Sequence, residues 1–242
     1  MRRLLRLGVV FCALALATVA FGHMAERWVF YPFDATEIAP AEADLPDVTA
    51  IRFENDGQSL VAWVAPPKPG KPVIFYLHGN AGNLATRAGR FRRFVERGYG
   101  LFAPAYRGSS GSRGTPDEAA LTWDAETAYH TLFAEMPAPT AQRVVIYGES
   151  LGTAVALSLV ASPAMHPEKG YGPPAGVILE APFTSIPDLA EHHYPGTRPL
   201  AEKLESQWPS LARAARLTAP LLVIHGSTDP LIPTQMGRQI AS

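Results

Sequence analysis

The 242-residue sequence predicts an α/β fold: a mostly parallel sheet with helices on both faces. Three observations predict it. Short, continuous apolar runs recur, among them "PVIFYLH" (72–78), "YGLFAPAY" (99–106) and "AGVILE" (175–180); strands covered on both faces read this way. Segments of ten or more residues with helical spacing lie between these runs, the alternation that builds parallel sheets. There is no internal repeat or low-complexity tract, and nothing inside residues 25–242 marks a second domain.

The elements follow in chain order. Arg2, Arg3 and Arg6 precede fifteen uncharged residues, Leu7 to Phe21. Residues 1–24 therefore read as a signal anchor or a secretory signal peptide and stand apart from the fold. Fifteen helical residues span roughly 22 Å, against a hydrocarbon core of roughly 30 Å. Leu4 and Leu5, with Arg6 snorkelling, extend that reach, whereas cleavage after Ala20 is the other outcome. Trp28, Phe30 and Tyr31 in "AERWVFYP" suit a membrane interface, and the charge bias places the globular part outside the cytoplasm.

"VTAIRFENDGQSLVAWVAPP" (48–67) is two alternating runs about an Asp-Gly turn, a hairpin. The strand "PVIFYLH" leads through "GNAGN" (79–83) into a helix over 84–97, and "YGLFAPAY" is the next strand. A helix over 116–136 sets Leu121, Ala125, Ala128 and Leu132 on one face. "RVVIYG" (143–148), a helix from Leu151, and "AGVILE" come next. A polar, Pro-broken stretch at 181–215 is expected to cap the sheet, and "APLLVIHG" (219–226) is the last strand.

Charge and cysteine content narrow the chemistry. With 21 basic and 22 acidic residues and no long run of either sign, the chain lacks the basic face that nucleic acid requires. The single cysteine, Cys12, excludes an intramolecular disulfide and a cysteine zinc site. No dinucleotide fingerprint, P-loop or metal-ligand spacing occurs, so no cofactor and no metal are expected.

"RVVIYGESLGTAVALSLV" (143–160) breaks a β-branched run at a serine between glycines. Gly148 to Gly152 fits G-x-S-x-G. In a tight strand-to-helix turn the serine backbone is strained, and two chain segments pass too closely for side chains two residues either side. The turn lifts the hydroxyl out of the sheet, at the strand ends where ligands bind in such folds. The plainer reading is that Gly and Ser suit any such junction. The predicted strand, turn and helix around Ser150 favour the nucleophile.

An ordered series extends this: "LHGNAGN" (77–83), "YRGSSGSRGTPDE" (106–118), "GESLGTAVA" (148–156), "VILEAPFTSIPDLA" (177–190) and "APLLVIHGSTDPLIP" (219–233). On these motifs the chain resembles the α/β-hydrolase fold, and within it the membrane-anchored alpha/beta-hydrolase-domain-containing proteins. The resemblance implies Ser150 as nucleophile and Asp229 as the acid orienting a catalytic histidine. It implies an oxyanion hole from the N–H groups of Asn80 and Leu151. His78 is expected to shape a strand end, and Arg107 to make structural hydrogen bonds.

The triad order in this fold is Ser, acid, His, and similar hydrolases place the histidine in a loop after an eighth strand. No histidine follows Asp229; the seven present are His23, His78, His130, His166, His192, His193 and His225. His225 reads as a core residue, and only His192 and His193, in the cap, are placed to approach Ser150. The expectation is a chain interrupted before strand eight, the last helix and the histidine loop, leaving strand seven as an edge.

Serine as nucleophile selects acyl transfer: attack on an ester, thioester or amide carbonyl, a tetrahedral intermediate, and hydrolysis of the acyl-enzyme; the residues do not separate esterase from peptidase activity. The expected partner is a small-molecule or lipid-like acyl substrate, with the membrane engaged through the N-terminal segment. The alternative is a catalytically inactive, membrane-tethered binding protein that keeps Ser150 as a relic of the fold.

Overall fold

The computed structural model describes residues 26–136, 143–165 and 172–242. Residues 1–24, His23 and His166 lie outside them. Among the described residues no helix is long and apolar enough to cross a membrane.

Strands β1 (Thr49–Asn55) and β2 (Gln58–Ala65) form the expected hairpin. Asp56 (φ 52°) and Gly57 (φ 68°) both take the left-handed conformation that a two-residue turn needs to match strand twist. Strands β3 (Val73–Leu77), β4 (Gly100–Pro104), β5 (Val144–Glu149), β6 (Gly176–Glu180) and β7 (Leu221–Ile224) complete a seven-stranded sheet ordered β1-β2-β4-β3-β5-β6-β7. Pairing is antiparallel for β1–β2 and β2–β4 and parallel from β4 through β7.

Among the described residues the helices that flank the sheet and follow it include α1 (Ala88–Glu96), α2 (Glu118–Glu135), α3 (Leu151–Ala161), α4 (Ile186–His193), α5 (Arg198–Ala201), α6 (Ser210–Ala214) and α7 (Thr234–Ala241). Every residue of β3 is buried, yet its side chains alternate between two cores. Phe75 joins Tyr129 of α2, Leu157 of α3 and Met236 of α7 on one face. Ile74 and Tyr76 join Trp63 and Phe91 of α1 on the other. Leu121, Ala125, Ala128 and Leu132 form the buried stripe of α2 as its spacing predicts, and Asp117 caps that helix by accepting from the Ala120 N–H at 2.7 Å. Helix α3 is buried over its first nine residues, as a helix apolar on all sides must be.

The 181–215 stretch forms α4, α5 and α6 and is tied down at 205–208. Glu118 accepts from the Gln207 and Trp208 N–H groups at 2.7 Å each, and Glu26 accepts from those of Glu205 and Ser206. Within it Phe183 and Trp208 are buried, whereas Tyr194 is exposed. The interfacial role expected of "AERWVFYP" is corrected in part. Trp28 is exposed, but Tyr31 is a core residue, its hydroxyl donating to Ser206 Oγ and accepting from the Trp208 indole. Phe30 packs against the same core. A buried hydroxyl with partners of its own is spoken for. Strand β7 lies at the sheet edge, with Leu222 and Ile224 exposed.

Candidate active site

Ser150 follows β5 and opens α3, with φ 51° and ψ −115°. That region is costly for a residue with a Cβ, and it persists only where the surroundings enforce it. They do so here. The Ser150 N–H donates to Glu180 O at 2.9 Å, and Ser150 O accepts from the Thr153 N–H and hydroxyl at 2.9 and 2.6 Å. A Cβ on Gly148 would stand 2.4 Å from Gly152 O, and one on Gly152 only 2.0 Å from Leu77 O. Both contacts are with backbone, so neither glycine admits a side chain. The turn lies at the carboxyl edge of the parallel strands, with Ser150 half-buried.

Leu151 is the first residue of α3, so its N–H belongs to the turn that has no partner within the helix. Asn80 sits half-buried in the loop after β3. Its orientation has a traceable cause. His78 is fully buried against Tyr106 and Phe33, at ring distances of 4.2 and 5.6 Å. Its Nδ1–H donates to Gly79 O at 2.8 Å, leaving Nε2 to accept from the Tyr106 N–H at 3.5 Å. The Gly79–Asn80 peptide is trans, so its C=O and N–H point in opposite directions. Fixing the carbonyl on His78 therefore turns the Asn80 N–H away from that ring. Burial, followed by the nearby Arg87 charge, pushes the His78 pKa down to about 3. His78 is a neutral shaping residue, as its place at a strand end predicted.

Asp229 lies in the loop after β7. One carboxylate oxygen accepts from the Leu231 and Ile232 N–H groups at 2.9 Å each, which leaves the second to hold another group. Strand β6 separates β5 from β7, so the Ser150 and Asp229 turns leave the same sheet edge with strand axes about 10 Å apart.

No described histidine hydrogen-bonds the Ser150 hydroxyl. His225 comes within 3.8 Å of Asp229, but its Nε2–H donates to Ile232 O at 2.8 Å and its Nδ1 is buried against Gly237 of α7. Its side chain is 5% exposed. His193 is exposed and bonds Leu231 O at 2.7 Å, in the acid's own loop, with His192 edge-on beside it. His130 lies on α2.

Arg107 has the structural role expected of it. It makes a forked pair with Asp124, Nε to Oδ2 at 2.7 Å and Nη2 to Oδ1 at 2.5 Å, and Asn55 adds a third bond to that carboxylate. A network behind the elbow escaped the sequence reading. Glu149, the residue before Ser150, accepts from Tyr76 and from Arg87; Glu180, its neighbour in register on β6, accepts from Tyr147 and Arg90. Arg90 holds the Glu180 carboxyl below its usual range. An acidic residue beside the nucleophile was a visible signal, but its partners lie 62 and 73 residues away.

A helix-flanked, mostly parallel sheet that turns through a strained serine after its fifth strand defines the α/β-hydrolase class. The fold matches the crystal structure of an α/β hydrolase from Vibrio vulnificus with a TM-score of 0.73 at 18% identity, covering 90% of this chain and 80% of that one. The chain belongs to the hydrolase family described as serine aminopeptidase, S33, which it matches over residues 68–212. An uncharacterized protein of Mycobacterium tuberculosis is 30% identical over 99% of this chain and 83% of its own length. The lysophosphatidylserine lipase ABHD12 of Macaca fascicularis is 33% identical over 70% of this chain and 44% of its own.

Proposed function

We propose that the protein is a serine hydrolase that cleaves carboxylic esters or thioesters of acyl-chain, lipid-like substrates. The positive φ of Ser150, in a turn whose two flanking glycines admit no Cβ, carries this reading, because such strain is retained where an exposed nucleophile requires it. Ser150 Oγ attacks the acyl carbonyl and gives up its proton to a general base, with Asp229 as the acid proposed to orient that base. The oxyanion is held by the N–H groups of Asn80 and Leu151. The alcohol or thiol leaves with that proton, and water then releases the acid from the acyl-enzyme. The lipase named among the relatives supports a lipid-like substrate. The leader's charge bias supports a domain held at a membrane on the non-cytoplasmic side.

The test is labelling of the protein by a fluorophosphonate probe, which reacts with an activated serine. Wild-type protein labels and hydrolyses p-nitrophenyl acyl esters; Ser150→Ala does neither. A second reading rests on the histidines, none of which bonds Ser150 among the described residues: a tethered binding protein without turnover. Equal labelling of wild type and Ser150→Ala, with no esterase activity in either, selects that reading.

A further inference from the structure

We infer that Arg87 is a positioning residue that locks the oxyanion loop onto the nucleophile elbow, an inference that rests on the hydrolase reading of Ser150. The guanidinium reaches two chain segments that must keep register for acyl transfer. Its Nε and Nη2 each donate to the Glu149 carboxylate at 3.4 Å, on the residue next to Ser150. Its Nη1 donates to the carbonyls of Ala81 and Asn83, the latter at 3.3 Å, and to Thr86 Oγ1 at 2.7 Å. One planar group thus fastens the loop following Asn80 to the strand end preceding Ser150.

The surroundings are shaped to this clamp. The Arg87 side chain is 11% exposed, and a guanidinium so withdrawn from water is stable only when its N–H groups are satisfied. A Cβ on Gly79 would stand 3.3 Å from both Arg87 Nη2 and Glu149 Oε1, and one on Gly82 3.2 Å from Nη1. The glycines let the loop close directly over the guanidinium. Tyr76 donates to the same carboxylate, so Glu149 is held from the sheet side as well. Asn80 then lies between two fixed carbonyls, Gly79 O on His78 and Ala81 O on Arg87. Its N–H direction is set before substrate arrives, the condition under which an oxyanion donor is effective.

Lysine cannot reproduce a planar fork that spans a carboxylate and carbonyls. Arg87→Lys and Arg87→Ala are therefore expected to slow fluorophosphonate labelling and kcat by about ten- to hundred-fold, no more than the roughly hundred-fold minimum cost of removing an oxyanion donor outright, with KM within about two-fold of wild type. A groove of ≈ 630 Å³ lined by Ala81, Gly82, Thr86, Arg90 and Glu149 opens on Arg87, so millimolar guanidinium ion should restore part of the Arg87→Ala rate. Hydrogen exchange read without substrate gives an independent arm. Residues 79–84 exchange faster in Arg87→Ala, while β1 and β2 are unchanged. Loss of thermal stability with kcat and exchange at 79–84 unaltered overturns the inference. If wild type itself fails to label, the hydrolase reading falls, and exchange at 79–84 still decides whether Arg87 holds the loop.

Discussion

His78 makes a pH prediction that can be worked from the structure. The imidazole has an ordinary pKa of 6.5 and is held at about 3 in the fold. Burial is the main cause; in addition, a proton on Nε2 would face the Tyr106 N–H, donor against donor. The folded value is depressed, so between pH 3 and 6.5 the unfolded chain binds the extra proton. The stabilisation is therefore complete above pH 6.5 and is lost as pH falls toward 3. Acidification from pH 7 to 5 should remove about 2 kcal/mol through this group, from roughly 1.4 kcal/mol per pH unit below 6.5. His78→Asn keeps a donor in the Nδ1 position but does not titrate. Urea unfolding of both proteins at pH 7, 6 and 5 separates this effect from the carboxylates. The wild-type advantage over His78→Asn should shrink by about 2 kcal/mol over that interval, on the order of 4–8 °C in Tm for a chain of this size. An advantage independent of pH, or one that grows on acidification, would refute a neutral buried His78.

Three further outcomes are expected. Asp124→Ala strands Arg107, the two side chains being 8% and 4% exposed; thermal or urea unfolding should show a loss of about 3–5 kcal/mol, and a loss near zero would show the pair to be solvated. Gly152→Ala puts a methyl 2.0 Å from Leu77 O; a soluble variant should lose at least about 2 kcal/mol of stability and lose fluorophosphonate labelling. Asp229→Asn keeps an oxygen for the Leu231 and Ile232 N–H groups, so Tm should hold while kcat falls by about 10⁴-fold; unaltered kcat would remove Asp229 from the triad.

The elements legible in the sequence are those whose cause is local. The Asp56-Gly57 turn, the buried stripe of α2 and the paired glycines around Ser150 follow from φ, ψ and side-chain period alone. Readings that turned on a partner were mixed. Tyr31 resembled an interfacial aromatic until Ser206 and Trp208 claimed its hydroxyl. His225 could be weighed only as core or site, and its distance of 3.8 Å from Asp229 needed coordinates. The pairing of Arg87 with Glu149 has no sequence period to announce it, since 62 residues separate them.

By itself the amino-acid order determined the α/β architecture and the sharp turn at Ser150, because hydrophobic period and glycine placement act within a few residues. Only the tertiary structure decided which imidazoles are locked away, which aromatics are core, and how the Asn80 loop is held to the elbow. Those outcomes depend on hydrogen-bond partners brought together by strand order, and a charge or a buried ring acquires its role from the neighbour that satisfies it.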